Sequence, residues 1–167
     1  MARRLTALVA LLVLHGCSTV TPPAPEPPVP PKPSAPPAPR PAALAVERQW
    51  LQSWFKGTPV RIEQRSESAF SIEVPRDFCF DAGRSAVKPP LAAVLDKLAQ
   101  SLQRKPEARV ELLTAPGDAA GASALAQQRG DSVRKHLLAR GVSSQQLAAP
   151  SATDAAAVQL RIGLAVP

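Results

Sequence analysis

Apolar positions along this chain change their period several times, and each change predicts an element. After Arg3 and Arg4 comes a solid apolar run, Leu5 to Leu14, closed by His15-Gly16-Cys17. A permanent membrane helix needs ~20 such residues, so the run is too short to be one. Within residues 44–56, Trp50 with Trp54 and Leu51 with Phe55 stand four apart, the spacing of a short helix with one apolar side. Gly57-Thr58-Pro59 ends it. Val60 to Glu63 and Phe70 to Val74 then alternate apolar with polar, as half-buried strands joined through a polar turn around Arg65 to Ser68. Asp77 to Phe80 reads as a third extended piece leading to a turn at Gly83. Pro90 suits the start of a helix whose stripe is Leu91, Val94, Leu95, Leu98 and Leu102, stopped by Lys105-Pro106. Arg109 to Leu113 is a short strand. A second helix runs from about Ala122 to Arg140, with the stripe Ala126, Gly130, Val133 and Leu137 and a natural left-handed cap at Gly141. Strict alternation from Val158 to Val166 gives a closing strand. Together these predict an α+β fold, a two-layer sandwich with helices on one face of a mixed sheet.

Proline separates a tether from this folded part. Of 20 prolines, twelve lie between Pro22 and Pro41. That stretch has too few large apolar side chains to form a core, and its composition favours an extended polyproline II spacer. Twenty residues at ~3.1 Å each reach roughly 60 Å. Its PxxP spacing also fits a ligand for a proline-recognition domain. Formal charge is +7, and removal of Arg3 and Arg4 with the first sixteen residues leaves +5. The cations are scattered, without a basic block or aromatic stripe, which argues against a nucleic-acid partner and for solubility with mild attraction to anionic polymer or headgroups.

Two cysteines are present, Cys17 and Cys79. Cys79 lies in the apolar run Phe78-Cys79-Phe80, where a buried inert thiol is expected, with an intermolecular disulfide as the alternative. No CxxC pair or His/Cys cluster suggests a metal or cofactor. No nucleophile–histidine–acid arrangement or carboxylate pair has supporting context, so a non-catalytic protein is expected, with a cell-wall hydrolase as a weaker third idea.

Two resemblances give these elements a setting. Leu14-His15-Gly16-Cys17, after its basic and apolar regions, resembles the lipobox of bacterial lipoproteins, although His15 replaces the usual small or aliphatic residue. It implies a signal peptide over 1–16 and lipidation of Cys17, against the alternative of an ordinary secretory signal. Ser18 resembles the outer-membrane sorting pattern, placing the chain on the periplasmic face of the outer membrane. Stable attachment needs more than one acyl chain.

Residues 70–167 resemble the OmpA-like C-terminal domain. Phe78-Cys79-Phe80-Asp81-Ala82-Gly83-Arg84-Ser85-Ala86-Val87-Lys88-Pro89 looks like that family's strand and turn before its first helix. Leu125-Ala126-Gln127-Gln128-Arg129-Gly130-Asp131-Ser132-Val133 resembles its "L-S-x-x-R-A-x-x-V" helix. The loop Thr114 to Gly121 stands where the family has "G-H-T-D-x-x-G". On this resemblance 17–43 is the lipidated cysteine and linker, and 44–69 a helix and strand leading into the domain.

The resemblance implies peptidoglycan binding, with Asp118 and Arg129 gripping the free end of diaminopimelate. That end carries an ammonium and a carboxylate on one carbon, which one anion and one guanidinium complement. On a helical wheel Arg129 sits ~60° from the centre of the buried stripe, at the edge of a cleft. The plainer roles are a helix-proximal acid for Asp118 and a solvated helix charge for Arg129. Pro116 and Gly117 replace the loop histidine and threonine, the chain before Leu125 is shortened, and the closing "N-R-R-V-E" is reduced to Gln159-Leu160-Arg161-Ile162. His136, two turns beyond Arg129, either lines the cleft or sits at a boundary. These departures, with the Trp50/Trp54/Phe55 segment, motivate an alternative: an accessory lipoprotein of an envelope secretion or assembly complex, its degenerate domain docking protein partners.

Overall fold

A computed structural model describes residues 41–119 and 121–164, with side chains from Leu44 onward. The signal, lipobox and tether expectations for residues 1–40 lie outside the described residues. The described residues form one compact unit. Its elements run α1 (Pro41–Trp54), β1 (Arg61–Ser66), β2 (Ala69–Pro75), α2 (Pro89–Arg104), β3 (Ala108–Pro116), α3 (Ser123–Ala139), β4 (Pro150–Thr153) and β5 (Ala157–Leu164). Among the described residues no helix is long and apolar enough to cross a membrane.

The sheet has the order β1-β2-β5-β3-β4, antiparallel except for the parallel β3–β4 pair. Cross-strand partners show how alternation builds one buried face. Phe70 stands opposite Ile162, Ile72 opposite Leu160 and Val74 opposite Val158. Val110 and Leu113 face the same Ile162 and Leu160 from β3. The register shift between Val110 and Leu112 brings Leu113 onto the core side. Leu44 and Leu51 of α1, Leu91 to Leu102 of α2, and Val133 and Leu137 of α3 close one core against this face. The fold is therefore the expected α+β two-layer sandwich with a mixed sheet.

Helix boundaries follow their local chemistry. Pro89 and Pro90 occupy the first positions of α2, where a missing N–H costs nothing. Gly141, at φ 84°, follows α3, and the N–H groups of Gly141 and Val142 return to Leu138 and Leu137. The stripe Ala126, Gly130, Val133 and Leu137 is buried as its spacing predicts, and Arg129 is buried with it.

One local expectation needs correction, and one strand is additional. Asp77 to Phe80 is not extended: Arg76–Phe78 is a 3-10 turn, with Cys79 N and Phe80 N both donating to Arg76 O at 2.8 and 3.2 Å. Adjacent Cys79 and Phe80 are both buried, which an alternating strand cannot do. Strand β4 was not expected, because Pro150-Ser151-Ala152-Thr153 has no apolar alternation. Its pairing with Leu113 to Pro116 comes from the backbone.

Candidate functional site

Three segments distant in sequence meet around one guanidinium. The turn Asp81 to Arg84 leads toward α2, β3 delivers Pro116 and the loop behind it, and α3 carries Arg129 inward. The Arg129 side chain is only 1% exposed. Its Nε donates to Arg84 O at 2.9 Å, Nη1 to Pro116 O at 2.9 Å, and Nη2 to Asp81 O at 3.1 Å and to Asp118 Oδ1 at 2.6 Å. The Phe80 ring lies under it, 4.9 Å from Cζ to the centroid. A buried cation is costly unless paired and hydrogen-bonded, and this one is both.

Asp118 stands at the mouth of this arrangement, its side chain 36% exposed. Its Oδ2 accepts a hydrogen bond from Gly83 N at 2.6 Å, so the carboxylate spans the two loops. The Gly83 N–H first, then the Arg129 guanidinium, with Arg76 adding at longer range, hold its carboxyl below the usual aspartate range. Arg76 Nη1 donates to Asp118 O at 3.0 Å and Gly117 O at 3.4 Å. The family resemblance implied the Asp118–Arg129 pair and did not include Arg76, which precedes the motif and bonds to backbone atoms only a folded loop brings near it.

The structure thus brings Asp118 and Arg129 into direct contact. It does not leave Arg129 at a solvated edge. Three backbone carbonyls and a carboxylate draw it inside. A cleft of about 280 Å³ is lined by Gly117 and Ala119, on either side of Asp118 in sequence, and by Ala122, Ser123, Ala126 and Asp154 among others, but not by Asp118 or Arg129. A Cβ at Gly117 would stand 2.6 Å from Ala122 Cβ, so the shortened loop closes where a side chain would otherwise sit. His136 does not line this cleft. It pairs through Nε2 with Asp96 Oδ1 at 2.7 Å, and Arg140 Nε meets the same oxygen at 2.8 Å, tying α3 to α2.

Cys79 is fully buried, its Sγ 3.2 Å from Pro75 O, and burial pushes its thiol up to about 12. Trp50 packs partly against the core, whereas Trp54 is 52% exposed with Lys97 Nζ 3.6 Å from its ring centroid.

Residues 79–159 match the OmpA family. They are an OmpA family domain. Comparison with curated proteins gives no match. Among solved structures, the chain is similar to a MotB-like protein from Desulfovibrio vulgaris, at 12% identity over 75% of this chain and 94% of that one, with a TM-score of 0.62. It is also similar to the periplasmic domain of Helicobacter pylori MotB (residues 78–256), at 16% identity over 66% and 85%, with a TM-score of 0.54. The peptidoglycan-associated lipoprotein from Burkholderia pseudomallei aligns at 27% identity over 55% and 86%, with a TM-score of 0.41. The first two likenesses show the fold.

Proposed function

We propose that this chain is a lipoprotein anchored in the outer membrane through Cys17, whose OmpA family domain holds peptidoglycan non-covalently and without catalysis. The segments are a signal peptide over 1–16, the lipidated cysteine and linker over 17–43, a lead-in over 44–69 and the domain over 70–167. The reading rests on one observation: Asp118 is partly exposed, fixed on both oxygens and backed by the buried Arg129 guanidinium. Such a carboxylate stays ionised and does not collapse onto a passing cation, which suits it to the ammonium of a diaminopimelate end. Arg129 supplies the positive charge behind it. It does so from within the fold, with four of its five N–H groups engaged by the protein itself.

Sedimentation with purified peptidoglycan tests the site. Wild type is expected in the pellet and Asp118→Ala in the supernatant. Arg129→Ala is expected to follow, with thermal melts separating lost binding from lost folding. Equal retention of all three proteins would remove the proposed site. The anchor is tested separately: Cys17→Ala should leave the membrane fraction.

The exposure of Trp54 and the closed-in ligand loop favour a second reading, an accessory lipoprotein whose domain docks an envelope protein. Failure to sediment with peptidoglycan, together with a specific crosslink from position 54, would establish it over the first.

A further inference from the structure

Arg129 lies too deep to be the cation a ligand meets first. Its side chain is 1% exposed, and four of its five N–H groups are already engaged. Arg76 presents the opposite picture. At 35% its side chain is as exposed as that of Asp118, and its Nη1 is pinned to the Gly117 and Asp118 carbonyls. Nε and Nη2, the edge that offers two parallel N–H groups, have no hydrogen-bond acceptor among the described residues. The Asp77 carboxylate, 3.9 Å from Nε and 87% exposed, is an ion-pair neighbour beyond hydrogen-bond distance, which an incoming carboxylate would displace toward solvent. The ligand loop thus carries an accessible anion and, bonded to the same residue's backbone, an accessible guanidinium.

We propose that Arg76 takes the distal carboxylate of a diaminopimelate side chain while Asp118 takes the ammonium on the same carbon. Arg76 then sets specificity, because a lysine in the same stem position ends in an ammonium alone. This inference rests on the peptidoglycan reading above. The domain match begins at residue 79 and does not place Arg76.

Calorimetric titration of the full chain with two soluble stem tripeptides, one carrying diaminopimelate and one lysine at the third position, decides it. Wild type should prefer the diaminopimelate peptide. Arg76→Gln should weaken that peptide roughly tenfold or more and leave the lysine peptide within about twofold, as loss of one charge-assisted contact requires. Arg76→Lys, which keeps the charge without the fork, should fall between. Asp118→Asn should weaken both. If Arg76→Gln binds the diaminopimelate peptide like wild type while Asp118→Asn does not, the Arg76 assignment is overturned and the peptidoglycan reading stands. Equal loss of both peptides in Arg76→Gln would reduce Arg76 to a loop strut and also overturn the assignment. A wild type that binds neither peptide removes the reading and the assignment together.

Discussion

Arg129 is a buried cation held by three backbone carbonyls and the Asp118 carboxylate. The family resemblance picked out Asp118 and Arg129 as a pair, and the side chains meet at 2.6 Å. Burial of Arg129 was not legible, because the carbonyls of Asp81, Arg84 and Pro116 hold it, and carbonyls carry no trace of residue type. Removing the guanidinium would strand those acceptors. Arg129→Met is expected to cost about 3–5 kcal/mol in urea denaturation, the range for breaking a buried charged network from one side. Arg129→Lys should recover only part, since an ammonium cannot reproduce the fork. Asp118 adds a pH signature. Its folded pKa is below its unfolded one, so its stabilising effect is complete above the usual aspartate range, about 3.9, and is lost as pH falls through the lowered folded value. Melting wild type beside Asp118→Asn should show a constant gap from neutral pH to about 4 and a closing gap below it. A gap that widens on acidification would contradict the sign.

Among the elements, those with strong apolar periodicity were readable and those made by pairing were not. The stripes of α2 and α3 and the alternation of β2 and β5 appear in the structure as buried faces. Strand β4 escaped because its register comes from β3, and the turn at Arg76–Phe78 because two adjacent apolar residues share one side. Helix α1 reads beforehand as a short amphipathic piece. Its tie to α2 rests on Glu47, a buried acid that accepts from Ser101 Oγ at 2.8 Å and Arg104 Nη2 at 2.6 Å. Burial pushes that carboxyl up, but the Arg104 and Ser101 hydrogen bonds outweigh it and hold it below the ordinary range. Gly130 links α3 to β4. A Cβ there would stand 2.6 Å from Pro150 Cβ, on a ring that cannot swing aside. Alanine raises helix propensity by ~1 kcal/mol, yet overpacking costs ~1–3 kcal/mol, so Gly130→Ala should lower Tm. Gly163→Ala is the contrast: the three atoms nearest its new methyl all belong to the end of the Glu111 side chain, which is exposed and flexible, so the Tm should hardly move.

For the whole molecule, Cys79 provides a gauge of cooperativity. The thiol is fully buried and its pKa is pushed up to about 12, so at neutral pH the folded protein exposes almost no thiolate. Labelling by a thiol reagent should proceed only through opening of the core, and Arg129→Met should accelerate it in proportion to its loss of stability, provided closing outpaces labelling. The proposed anchor and the peptidoglycan site add a requirement that neither end meets alone. Between Cys17 and α1 lies the proline-dense stretch, whose expected reach of roughly 60 Å would let a lipid-held domain meet a polymer layer away from the membrane. Deleting residues 22–36 should leave membrane fractionation intact, because that depends on Cys17. It should also leave binding to purified peptidoglycan intact, because that depends on Asp118 and its neighbours. What should fall is crosslinking to peptidoglycan in whole cells, where both ends must engage at once and a short linker drives the effective concentration toward zero. Replacing the deleted stretch with a Gly/Ser segment of equal length tests stiffness apart from length. Such a coil spans ~5–6 Å times the square root of the residue number, about 20–25 Å for fifteen residues, against about 45 Å for the same number in polyproline II. Intermediate crosslinking is therefore expected from that variant, and undiminished crosslinking from the deletion would show that the domain meets its partner close to the membrane.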